Sequence, residues 1–126
     1  QLECEDIVHF IGFVKNIEDY YSVGDYFIFT SVYETFGLVA LEAMAAGMVV
    51  VSNKLNGVCD FIKDGENGFL TKDASIESFV EVFEYILQHP DCEERIRFNA
   101  RETAKQMNWE NCSQEYKKVF DSYSRG

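Results

Sequence analysis

Apolar residues come in short unbroken runs in the first half of the chain and at helical spacing in the second. The run Ile7-Val8-His9-Phe10-Ile11-Gly12-Phe13 has no polar face, which predicts a strand covered on both sides, as in a parallel sheet. Ile17 to Val23 repeats apolar residues at helical spacing and stops at Gly24, which predicts a short helix with a glycine C-cap. Asp25 to Thr30 is a second strand. The loop Ser31–Gly37 then opens a helix over Leu38–Ala46, built from strong helix formers. Gly47 ends it, and Met48 to Ser52 is a third strand. Cys59 to Ile62 fits one helical turn. Asp64-Gly65-Glu66-Asn67-Gly68 has turn composition and precedes a short strand at Phe69-Leu70-Thr71.

The last third reads as helix throughout. Asp73 or Ser75 can cap a helix whose apolar stripe is Ile76, Phe79, Val80, Phe83, Ile86 and Leu87, ending near Gln88-His89-Pro90. A more polar helix follows from Asp91 to about Met107. Another runs from Trp109 to about Tyr123, with Trp109, Tyr116, Val119, Phe120 and Tyr123 on its buried side. Strands that alternate with helices and lack a polar face predict an α/β fold with a doubly wound parallel sheet and a helical carboxyl terminus, in one domain over residues 1–126. Ligands of such sheets bind at the carboxyl ends of the strands. The loops after Phe13, Thr30 and Ser52 are therefore the ones to watch.

Charge narrows the ligands. The formal net charge is -11, from 22 acidic and 11 basic residues. That field repels polyphosphate, so nucleic acid is not expected as a partner, and any anionic ligand must be held locally by backbone amides or a helix end. Cys4, Cys59, Cys92 and Cys112 form no C-x-x-C pair, and neither His9 nor His89 stands near them at ligand spacing. No metal is expected, and free thiols in a reducing cytosol are the favoured state. No apolar run approaches the roughly 20 residues of a membrane span. The start, Gln1-Leu2-Glu3-Cys4-Glu5-Asp6, lacks the features of a signal peptide, and it lacks an initiator Met, which suggests a part of something longer.

The loop after the second strand carries the candidate chemistry. Glu34 and Glu42 have seven residues between them, with Phe36-Gly37-Leu38 at the mouth of the helix. Gly37 has no Cβ, so a ligand can approach its backbone. The first helical amides are unpaired and carry the positive end of the helix dipole, which suits a diphosphate. Glu42, one turn further in, can accept from neutral hydroxyls such as a ribose diol, and Glu34 can reach another part of the same ligand. Taken on chemistry alone, Glu42 is equally an exposed helix residue and Glu34 an ordinary loop acid.

Ser31 to Val50 resembles the E-x7-E signature of retaining, nucleotide-sugar-dependent glycosyltransferases of the GT-B fold, the glycogen-synthase-like "group 1" enzymes. The likeness extends to Phe10-Ile11-Gly12-Phe13-Val14 before it, to Asn56-Gly57-Val58 and Asp64 to Leu70 after it, and to Asn108-Trp109-Glu110. It implies that Glu34 faces the donor sugar as the catalytic residue. By the same resemblance the backbone of Phe36, Gly37 and Leu38 binds sugar hydroxyls and phosphate oxygens. Glu42 holds the ribose, Val39 packs near the nucleoside, and Phe13 and Val14 contact the base. No metal is implied; the donor is a nucleotide-diphosphate sugar, and the acceptor a sugar or lipid-linked glycan.

The resemblance also implies what is missing. Enzymes of this kind begin the same domain with two further strand–helix units, whose first loop carries an Arg and a Lys, and they have a separate acceptor domain. The chain is therefore expected to be a cytoplasmic fragment that alone transfers no sugar, with membrane docking of the whole protein left open. In the usual order 3-2-1-4-5-6 the missing strands separate Ile7–Phe13 from Asp25–Thr30. The first strand is then expected to pair directly with the second, to pair across a homodimer, or to be disordered. The alternatives kept are a non-catalytic GT-B-like binding or regulatory module and a two-carboxylate glycoside hydrolase.

Overall fold

The computed structural model describes residues 4–54 and 57–108, with Glu110, Asn111, Ser113, Gln114, Lys117, Lys118 and Asp121. In chain order the elements are α1 (Ile17–Val23), β1 (Tyr26–Phe29), α2 (Leu38–Ala46), β2 (Val49–Asn53), β3 (Phe69–Thr71), α3 (Ile76–Gln88) and α4 (Glu93–Gln106). Short 3-10 turns at Gly57–Asp60 and Pro90–Cys92 fall between them. Among the described residues no helix is long and apolar enough to cross a membrane.

The three strands form one parallel sheet in the order β1-β2-β3, with Tyr26 opposite Val49 and Val51 opposite Phe69. All five residues of β2 are buried, as a central parallel strand requires. Because side chains alternate across a strand, β2 feeds two cores. Val50 packs with Tyr21, Ala40, Ala43, Met44, Val58 and Phe61 on the α1/α2 face. Val49 and Val51 pack with Phe69, Ile86 and Ile96 on the α3 face. Helices on both faces of a parallel sheet make this the Rossmann-like α/β arrangement.

α4 closes the end of the sheet away from the candidate loops. Arg97 Nη1 donates to the Gly47 carbonyl at 2.9 Å, just before β2. Asn99 Nδ2 donates to the Glu66 carbonyl at 2.8 Å, and Asn67 Nδ2 to Thr103 Oγ1 at 2.9 Å, just before β3. Ile96 belongs to one core and Ala100 to the other, so the helix bridges both layers at the amino ends of the strands.

Two expectations need correction. Residues 8–13 form no strand: Phe10 is 98% and Phe13 92% exposed, and Ile7 and Ile11 are exposed as well. A strand exists only with a hydrogen-bonded neighbour, and none of the three strands takes this segment as a partner, so it does not pair directly with β1. The stripe on α3 is also rotated. Phe79, Val82, Phe83 and Ile86 pack inward, while Ile76 (78% exposed), Val80 and Leu87 (77%) face out. The small Ser78 sits on the buried side instead, one and two turns before Val82 and Ile86, and it also serves the helix cap. The last expected helix lies partly outside the described residues, as do Asn56, Trp109, Tyr116, Val119, Phe120 and Tyr123; the described members from Glu110 to Asp121 are helical.

The α3 cap couples the fold to pH. Ser75 is the N-cap and accepts from the Ser78 amide at 3.2 Å. Asp73 Oδ1 in turn accepts from the Ser78 hydroxyl at 2.6 Å and the Ser75 amide at 2.9 Å, as well as from the Ser75 hydroxyl. Bonds from Ser75, then Ser78, hold the Asp73 pKa at about 2, below its usual 3.8. A depressed carboxyl pKa contributes stability above the unfolded value that is lost as pH falls through the folded one. Asp73→Asn is therefore expected to be less stable than the wild type near neutrality, with the gap closing between about pH 4 and pH 2. Urea melts across that range check it; a gap that persists at pH 2 contradicts it.

Candidate functional site

The carboxyl ends of β1 and β2 point to the same side, and the loops leaving them are joined. Asn53 Nδ2, from the buried last residue of β2, donates to the Ser31 carbonyl at 3.1 Å. Gly57 N–H donates to the Glu34 carbonyl at 2.9 Å. The fit is close enough to exclude any side chain at position 57. A methyl there would run into the Thr35 carbonyl, 2.6 Å from its carbon and 2.9 Å from Phe36 N. The ring of Phe36 meets that of Phe61 at 5.5 Å and so fixes the loop to the core below it.

At Gly37 the loop turns into α2 with φ +84°, in the left-handed region, and a Cβ there would also meet Val58 Cγ1. Ala40 and Leu41 are the first α2 amides to find a helical acceptor, both on the Gly37 carbonyl, at 3.0 and 3.2 Å. The amides of Leu38 and Val39 precede them. No Gly37 side chain caps them, and no acidic residue occupies the first turn. This end of α2 therefore presents donors and partial positive charge to whatever lies above it. Leu38 and Val39 are exposed there.

Glu34 is half-buried beside this turn, its Cγ 3.7 Å from the place a Gly37 Cβ would occupy. Among the described residues its carboxylate has no hydrogen-bond or ion-pair partner. Glu42 is exposed on the second turn of α2 and accepts from the buried Tyr21 hydroxyl at 3.5 Å. Glu34 thus stands at the loop–helix junction, and Glu42 lies on the following turn of α2, against α1. Phe13 and Val14 belong to neither core cluster, and Phe13 is exposed, so no described packing contact ties them to it. Among the described residues no three His, Cys, Asp or Glu side chains gather as metal ligands.

Two residues escaped the sequence-based reading of the site. Gly57 carried a signal, a glycine in the loop after a buried strand, yet nothing local tells which backbone it approaches. Tyr21 reads only as one apolar position on a short helix.

The comparisons with known proteins fit this geometry. The model of the family described as "Glycosyl transferases group 1" matches residues 1–103. The chain belongs to that family. A glycosyltransferase of Methanocaldococcus jannaschii is 33% identical over 123 residues, which are 95% of this chain and 32% of that protein. The solved structure of HepE from Anabaena with UDP superposes with a TM-score of 0.83 at 28% identity, covering 94% of this chain and 33% of the other. Sucrose-phosphate synthase of Thermosynechococcus elongatus gives 0.75 at 31% identity, covering 94% and 31%. This chain therefore spans about a third of the length of these relatives. Its α/β fold is that of a GT-B glycosyltransferase, with β1-β2-β3 as the sheet among the described residues.

Gly57→Ala tests the joint between the two loops. The methyl collides with backbone rather than a flexible side chain, so the variant is expected to lose about 1–3 kcal/mol, the usual range for overpacking. Denaturant unfolding measures it; a wild-type midpoint would mean that the Glu34–Phe36 loop is not held by this contact.

Proposed function

We propose that the protein containing this chain transfers a sugar from a nucleotide-diphosphate donor to an acceptor, with retention at the anomeric carbon, and that the β1–α2 junction is its donor site. The observation that carries the reading is the N-terminus of α2. Its uncapped Leu38 and Val39 amides follow a left-handed Gly37, in a chain of net charge -11. Within these residues a diphosphate is held where local dipoles outweigh that long-range field. Structures of HepE were solved with UDP and with UDP-glucose, which supports a uridine nucleotide for this chain as well.

In this reading the Phe36, Gly37 and Leu38 backbone binds sugar hydroxyls and phosphate oxygens. Glu42 accepts from the ribose diol, Val39 lies near the nucleoside, and Phe13 and Val14 meet the base. Glu34 faces the donor sugar. As the bond from the anomeric carbon to the phosphate oxygen breaks, its electron pair stays on the diphosphate and positive charge grows on the sugar. The half-buried Glu34 carboxylate stabilises that charge, because a fixed negative group acts more strongly where water is partly excluded. The acceptor hydroxyl attacks from the face the diphosphate leaves, and its proton passes to the departing phosphate. Supplying the acceptor falls to parts of the protein outside residues 1–126. The reading places the reaction in the cytoplasm, without a metal.

Titration of the full-length protein with UDP-, GDP- and ADP-sugars tests the donor class, and a UDP-sugar is expected to bind. Glu34→Gln is expected to lower kcat by about 10²-fold with little change in donor KM, since its contact strengthens only as charge develops. Release of UDP measured with acceptor present checks this. Wild-type turnover in the variant, or release of no nucleotide from any donor, would contradict the proposal.

A further inference from the structure

Tyr21 lies outside the loops that carry the donor contacts, yet its hydroxyl reaches one of the two carboxylates. It stands in the middle of α1 and is 8% exposed. Its ring meets Phe27 of β1 edge-on, centroids 5.8 Å apart at 82°, and Phe27 stacks on Phe29 at 5.9 Å. These contacts fasten the phenol to the sheet. Its hydroxyl lies 3.5 Å from Glu42 Oε2. Burial, and then the Glu42 carboxylate, raise the phenol pKa, so the group stays protonated and acts as the donor.

Glu42 needs such a partner. Its helical neighbours are Leu38 and Val39 on one side and Ala45 and Ala46 on the other, none with a polar side chain. A lone exposed glutamate samples many rotamers, and fixing it for a ligand costs conformational entropy. Tyr21 reaches it from a neighbouring element whose position the core already sets. Ile17, Glu18, Tyr21, Glu42, Ala45 and Ala46 line a cleft of about 410 Å3 between α1 and α2, kept open by the two alanines. With Oε2 engaged by Tyr21, the other carboxylate oxygen keeps its full capacity to accept.

We propose that Tyr21 is a positioning residue for donor recognition: its hydroxyl holds the Glu42 carboxylate in the orientation that accepts the vicinal hydroxyls of the nucleoside. The proposal rests on Glu42 being the diol acceptor. It makes α1, which supplies no predicted donor contact of its own, part of the affinity for the nucleotide. It also separates two jobs of one side chain. The ring packs and the hydroxyl orients, so only the hydroxyl should matter to the ligand.

Removing the hydroxyl while keeping the ring tests this. UDP, GDP and ADP, and the 2′,3′-dideoxy form of each, are titrated calorimetrically into the full-length wild type and its Tyr21→Phe, Glu42→Gln and Glu18→Gln variants. Tyr21→Phe is expected to weaken the best-binding diphosphate about threefold to tenfold, the range for one hydrogen bond, and to leave its dideoxy form unchanged. Glu42→Gln should show the same pattern more strongly, and Glu18→Gln should change neither. Loss on both forms from Tyr21→Phe, or on neither, while Glu42→Gln still responds to the diol, overturns the role of Tyr21 alone. An equal loss on both forms in Glu42→Gln overturns the reading of Glu42, and the role of Tyr21 with it.

Discussion

The hydrogen bond from Gly57 N–H to the Glu34 carbonyl joins the loops that leave β1 and β2, and the shape of the candidate site depends on it. Parallel strands bring their carboxyl ends to one side of the sheet, but that alone leaves two loops free to move. Here the second loop runs so close beneath the first that only glycine fits at position 57. Asn53, buried at the end of β2, adds a second tie to Ser31. With the loop held at both places, Gly37 can turn it into α2 at a fixed angle and aim the first amides of the helix outward. At the opposite end α4 bridges the two cores, so the sheet is braced where no ligand is expected.

The electrostatics follow from the same architecture. A chain of net charge -11 is a poor long-range attractor for phosphate. A helix terminus acts at short range, within the first turn, and its first turn here carries no acidic side chain to neutralise it. Glu34 stands beside that turn, and Glu42 lies on the next one, against Tyr21. In the proposed reading the carboxylates serve hydroxyl groups and developing positive charge, and within this chain the anion falls to backbone dipoles.

How much of this the sequence discloses depends on the range of the interaction involved. Local signals translate well: α2 runs from Leu38 to Ala46 as its composition and Gly47 indicate, β2 and β3 fall within a residue of their apolar runs, and Ser75 caps α3. Ile7–Phe13 fails because a strand is a property of its neighbours, and an apolar run cannot say whether they are present. The stripe on α3 fails more subtly. Apolar residues at Ile76, Val80 and Leu87 keep the helical period but fall outside the arc that faces the sheet, while the polar Ser78 falls inside it and bonds to Asp73. Within the site, the Glu34–Glu42 spacing is visible in the sequence, whereas Gly57 under Thr35 and Tyr21 beside Glu42 depend on contacts 22 and 21 residues apart. Contacts of that range lie beyond any local pattern.

Amide hydrogen exchange read residue by residue, with and without UDP, tests most directly whether the α2 N-terminus holds the donor. The amides of Leu38 and Val39 find no acceptor inside the helix, so they should exchange quickly in the free protein and slow by at least about tenfold when phosphate oxygens cover them. Amides in α4, at the far end of the sheet, should not respond. Binding of UDP that leaves Leu38 and Val39 exchanging as before would contradict the account, because the diphosphate would then sit somewhere other than on this helix.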